Sequence, residues 1–194
     1  MTSENKKVSR KEARQQQLAQ KSRKRQLMII VPIVVGIVAL GVFAYFRLRP
    51  VEGTTEFGAQ ARGHDVEATF ADSSLPPVGG AHDPRVQNCG IYTEPVVTGP
   101  AVHSMEHGAV WIAYHPDLPA DDVATLQEMV QGESYLLLSP YPDLNGDVVA
   151  TAWGVQIEPD SVTDPRLGQF IDRYRGGGPE PGAPCTGGLG RPQQ

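Results

Sequence analysis

Residues 109–141 read AVWIAYHPDLPADDVATLQEMVQGESYLLLSPY, and three periods follow one another in that stretch. AVWIAYH (109–115) alternates, with Val110, Ile112 and Tyr114 on one face and Trp111 on the other, the pattern of a strand covered on both sides. PADDVATLQEMVQG (119–132) is a helix. Pro119, Asp121 and Asp122 occupy its first turn, where carboxylates meet the positive end of the helix dipole; Val123, Leu126 and Val130 form its apolar stripe, and Gly132 stops it. SYLLLSPY (134–141) is a second buried strand. A strand, a helix and a strand in this order imply a parallel pair joined by a crossover.

Downstream, PDLNGD (142–147) carries turn chemistry, with Asn145-Gly146 suited to positive φ. VVATAWGVQIE (148–158) predicts a third strand, antiparallel to the second. DPRLGQFIDRYR (164–175) predicts a helix, opened by Asp164-Pro165 and burying Leu167, Phe170, Ile171 and Tyr174. The expected architecture is therefore α+β: a single small domain over 64–178, with a mixed sheet of three to four strands and two helices (β-α-β-β-α) on one face of it. Upstream, HDVEATF (64–70) alternates weakly and is compatible with a short strand. Ala71 to Pro100 is a long turn-rich loop, and residues 47–63 read as a stalk. Residues 179–194 are a Gly/Pro-rich tail with too little apolar surface to form a core.

The two ends of the 194-residue chain differ in charge. Residues 1–26 hold nine Lys/Arg against two Asp/Glu; from Pro50 onward there are six Arg, no Lys and twenty Asp/Glu. Between them, LMIIVPIVVGIVALGVFAYF (27–46) runs twenty residues without a charge. As a helix it is about 30 Å long, the thickness of a bilayer's hydrocarbon core. The long basic leader, the long apolar run and the lack of a small-x-small site favour an uncleaved signal-anchor over a cleaved signal peptide. The charge bias around it predicts a single-pass protein of the plasma membrane, with residues 1–26 cytoplasmic and the remainder outside. The leader's charge is explained by orientation, and the acidic body disfavours nucleic acid as a partner. The bilayer, met through residues 27–46, is the one partner the sequence implies.

Only two cysteines are present, Cys89 and Cys185. Outside the membrane a disulfide between them is favoured, tying the tail to the long loop; two free thiols and a metal-thiolate site are the alternatives. No CxxC pair suggests redox chemistry.

All five histidines lie between His64 and His115. The densest group is His103-Ser-Met-Glu106-His107-Gly. On a helical turn, His103 and His107 can grip one metal; in a strand they are too far apart. With His82 from the preceding loop, His103, Glu106 and His107 form the candidate metal site, for copper or zinc. Met105 could add a thioether ligand for copper. HxxEH is also the order of some zinc peptidases, but here it runs into Gly108 and a strand. The competing structural role is hydrogen bonding of these imidazoles to loop carbonyls. Neither a phosphate-binding loop nor a dinucleotide fingerprint is present.

LPPVGGAH (75–82), NCGIY (88–92), VHSMEHGAVWIAY (102–114), TAWG (151–154) and FIDRYRGGGPE (170–180) resemble the domain of unknown function 3105 family, whose members are membrane-anchored or secreted bacterial proteins frequent in actinobacteria. The resemblance implies one αβ domain in which His82, His103, Glu106 and His107 are the marked positions. It implies no established activity. Three function classes follow: a non-catalytic metal-binding domain, a cell-envelope interaction module, and a metal-dependent hydrolase built on Glu106.

Overall fold

The structure, a computed structural model, describes residues 3–70 and 74–193. The chain divides into two units, Met1–Arg49 and Pro50–Gln194. The first is one helix, α1 (Ser3–Leu48), with Pro32 inside it. Within α1, Arg23–Tyr45 is apolar and long enough to cross a membrane, and none of that window is buried against protein. Such a helix is consistent with a membrane anchor or a signal sequence. Most side chains of the basic leader, and residues 71–73 at the start of the turn-rich loop, lie outside the described residues.

The second unit is α+β. Its strands are β1 (Thr54–Glu56), β2 (Gly90–Ile91), β3 (Val110–Tyr114), β4 (Leu136–Pro140), β5 (Val148–Ala152) and β6 (Val155–Ile157), and its helices α2 (Thr98–Glu106), α3 (Ala120–Val130) and α4 (Pro165–Tyr174). They form one mixed six-stranded sheet in the order β1-β6-β5-β3-β4-β2. β2, β4 and β3 run parallel to one another, whereas the β3–β5, β5–β6 and β6–β1 pairs are antiparallel.

The alternation in β3 sorts the core into two layers. Val110, Ile112 and Tyr114 join Leu126 and Val130 of α3 and Leu167, Phe170 and Ile171 of α4 on one face. Trp111 and Ala113 join Ala101, Val102 and Met105 of α2 on the other. Trp111 is fully buried, and its indole N–H donates to Ser139 Oγ at 3.0 Å, which satisfies the one polar atom the ring carries inward.

Several expectations need correcting. The sheet has six strands rather than three to four, and α2 covers the second face, so the helices are not confined to one. The third strand is two: Gly154, at φ +76°, turns the chain at Trp153-Gly154, and β6 returns beside β5. β5 pairs with β3 rather than β4, because β2 already occupies the outer edge of β4. Neither Asn145 nor Gly146 takes positive φ, so the connection after β4 is not a tight hairpin. Lastly, the segment read as a stalk contributes β1, antiparallel to β6, and the buried Val51. HDVEATF forms no strand beyond a single bridge, His64 to His82.

The tail returns along the other sheet edge, held by backbone hydrogen bonds instead of apolar burial. Cys89 N–H donates to Cys185 O, Asn88 N–H to Leu189 O, and Gln193 N–H to Ile91 O, at 2.8 Å each. Cys89 and Cys185 form a disulfide with Cα atoms 5.4 Å apart, closing a loop of 96 residues.

Candidate metal centre

His103, Glu106 and His107 sit on the last turn of α2 and its C-cap. A grip by His103 and His107 needs one helical turn after Pro100, and the helix supplies more, since it begins at Thr98 and includes that proline. An early proline costs little, since the first amides of a helix have no partner within it. The added turn puts Ala101, Val102 and Met105 into the core, and the i, i+3 relation of His103 and Glu106 puts both on the face meeting the loop. Met105, fully buried among apolar side chains, is not available as a thioether ligand.

His82 arrives from the loop after Gly79-Gly80. Its backbone N–H donates to Gly63 O at 3.0 Å, and its carbonyl accepts from Asp65 N–H at 2.7 Å. This short parallel bridge places His64 beside it. One donor atom from each of His64, His82, His103 and Glu106 lies within 4.8 Å of the others. His82, His103 and Glu106 are buried, while His64 is half exposed.

The ring orientations are fixed by carbonyls. His82 Nδ1 lies 2.7 Å from Gly80 O and His103 Nδ1 lies 2.9 Å from Asp83 O. A carbonyl only accepts, so each Nδ1 carries the proton, and in a neutral ring each Nε2 keeps its lone pair. Such outer hydrogen bonds are the usual means of aiming a ligating imidazole. Burial, opposed by the Asp83 carbonyl and reinforced by the neighbouring His107, His82 and His64, holds the His103 imidazolium below the ordinary histidine range. His103 is therefore neutral at pH 7, the form that ligates metal.

Glu106 has two different oxygens. Oε1 accepts from Arg62 Nε at 2.7 Å. Oε2 lies 3.1 Å from His82 Nε2 and 3.9 Å from His64 Nε2. The first of these is close enough for an ion pair but not aligned for a hydrogen bond, and both atoms are buried without a hydrogen-bond partner. Burial works to raise the Glu106 pKa; the Arg62 hydrogen bond, the Arg62 charge and, in the acid range where a carboxyl titrates, the protonated His82 and His103 outweigh it, so the carboxyl ionises below its ordinary range.

His107 stands apart from this group although its ring lies 4.6 Å from that of His103, centroid to centroid. Its Nδ1–H donates to Pro184 O at 2.8 Å, and Nε2 faces Glu180 Oε2 at 3.6 Å. His115 directly follows β3 and accepts from Asp117 N–H, outside the cluster. Two participants escaped sequence reading. His64 belonged to a segment read as a strand, and only the crowding of all histidines into 64–115 hinted at it. Arg62 lay in the presumed stalk and carried no signal.

Asp83 stiffens the loop beside His103. Its carboxylate accepts from Arg85 N–H, Nε and Nη2 at 2.8, 3.0 and 2.7 Å. The side-chain hydrogen bonds from Arg85 chiefly hold its pKa down at about 2.

The family model described as "Protein of unknown function (DUF3105)" matches residues 65–187, well over half of the chain. The chain belongs to this family. The DUF3105 match takes in His82, His103, Glu106, His107 and both cysteines, and starts one residue after His64. No curated protein and no solved structure matches the chain.

Proposed function

We propose that this DUF3105 domain binds one divalent transition-metal ion, zinc or copper, through His64, His82, His103 and Glu106. The observation that carries the reading is the meeting of two acceptor atoms: His82 Nε2 and Glu106 Oε2, both buried, 3.1 Å apart and without hydrogen-bond partners. Two lone pairs at that distance repel unless positive charge lies between them. A proton on Nε2 would serve as well as a metal. The convergence of His64 and His103 on the same point favours the metal, since a proton needs no further ligands. Three imidazoles and one carboxylate, without thiolate or thioether, suit zinc or copper(II) better than calcium or magnesium, which prefer oxygen. The site is made to hold a cation; a hydrolytic role for Glu106 is disfavoured because its carboxylate is itself one of the four converging ligands.

The test is calorimetric titration of the purified full chain in detergent with zinc and with copper. Wild type should bind one equivalent, and His82→Ala and His103→Ala should each weaken binding by at least about tenfold. Equal affinity in all three proteins would dismiss the site.

We further propose that α1 anchors the domain in the plasma membrane with the leader inside and the metal site outside, on the strength of the charge asymmetry and the disulfide. Protease added to intact spheroplasts should digest a C-terminal tag. A protected tag would reverse the orientation.

A further inference from the structure

We propose that Arg62 is the charge gate of this centre, a positioning residue that rests on Glu106 when no cation is bound and moves onto Glu180 when one is. The proposal deepens the metal reading and depends on it.

Arg62 touches two carboxylates at once. Its Nε donates to Glu106 Oε1 at 2.7 Å, and its Nη2 donates to Glu180 Oε1 at 3.0 Å. The two acceptors differ in surroundings: the Glu106 side chain is 2% exposed and that of Glu180 is 42% exposed. A carboxylate as buried as Glu106 needs a compensating positive charge, and Arg62 supplies it. Glu180 can be hydrated and needs none. A divalent cation on Glu106 Oε2 would take over the compensation and place like charges side by side, which weakens the Arg62–Glu106 bond. The guanidinium has somewhere to go. It already holds Glu180, and Arg62, 48% exposed, is free to swing outward.

Glu180 is kept in place for this exchange. Its backbone N–H donates to Glu106 O at 3.0 Å, so the tail is fastened to the end of α2. Five residues later Cys185 joins the tail to the loop.

The experiment is zinc titration of the full chain in detergent against a chromophoric chelator, comparing wild type with Arg62→Gln, Arg62→Ala and Glu180→Gln, all checked for fold by circular dichroism. Arg62→Gln keeps a hydrogen-bond donor near Glu106 and removes the charge; Arg62→Ala removes both. Both should bind zinc about tenfold more tightly than wild type and release it more slowly, because a positive charge next to the ligand carboxylate is gone. Glu180→Gln should bind about threefold more weakly, because the guanidinium loses its charged second partner. A merely structural tether would weaken zinc binding when removed, the opposite sign. Stoichiometric binding by wild type with equal or weaker binding by both Arg62 variants overturns the gate and leaves the metal site standing. Unchanged affinity in Glu180→Gln overturns the hand-over. No stoichiometric binding by wild type overturns the metal reading and the gate together.

Discussion

Gly178→Ala is expected to lower the melting temperature of the domain by roughly 6–12 °C, which for a folded unit of this size corresponds to about 3 kcal/mol. A Cβ on Gly178 would lie 2.2 Å from Glu106 O, 2.4 Å from Gly108 N and 2.7 Å from Met105 O. All three are backbone atoms at the end of α2, so no side chain can swing away to relieve the overlap. The tail must then back off from the helix terminus. Doing so breaks the Glu180 N–H to Glu106 O bond and the approach of Gly176 N–H to Gly108 O, at 3.0 and 2.7 Å. Thermal melts followed by circular dichroism would measure it. A shift within 2 °C of wild type (about 1 kcal/mol or less) would mean that the tail does not lie against α2 as described.

Removing the disulfide with Cys89→Ala/Cys185→Ala should cost about 2–5 kcal/mol, since the cross-link shortens a long loop in the unfolded chain. The loop closed is 96 residues. The loss extends to the region of the metal centre, because the released segment carries Pro184, whose carbonyl accepts the His107 Nδ1–H hydrogen bond, and Glu180, which holds Arg62. The same outcome should follow reduction of the wild-type protein by dithiothreitol. Mass spectrometry without reduction should find the two cysteine peptides linked. A double variant as stable as wild type to urea would show that the backbone bonds of the tail hold it unaided.

The sequence was most informative where one period ran through a whole element. The alternation of Val110, Trp111, Ile112 and Ala113 assigns each side chain of β3 to its own core layer, and the spacing of Leu126 and Val130, or of Leu167, Phe170 and Ile171, assigns the buried faces of α3 and α4. The two cysteines were a short arithmetic, and they pair. Pairing order was less accessible. Nothing local in VVATAW says that it will lie against β3 and not β4, because that choice depends on Gly90-Ile91, a two-residue strand too short to show a period. β1 escaped for the same reason: Thr54–Glu56 has one partner strand and exposes two of its three residues.

At the candidate centre, His82, His103 and Glu106 were legible from their loop and helix spacing, and the structure brings them together. His107, chosen because it follows His103 by four, turns to Pro184 and Glu180 in the tail, a direction set by contacts more than seventy residues distant in sequence. His64 comes in through a single backbone bridge to His82, and Arg62 follows from it two residues earlier. The sequence also posed a choice between imidazoles bonded to carbonyls and imidazoles converging on a metal. The geometry makes the two compatible: the Nδ1–H bonds of His82 and His103 to Gly80 and Asp83 are what turn Nε2 of each ring toward the centre.

The most direct measurement of the central claim is X-ray absorption at the metal edge of the full chain loaded with one equivalent of zinc or copper. The account predicts a nitrogen and oxygen shell at about 2.0–2.1 Å with the outer scattering of three imidazoles and no sulfur. The imidazole signal should fall to two rings in His64→Ala. A sulfur shell near about 2.3 Å, or a spectrum unchanged by His64→Ala, would contradict it.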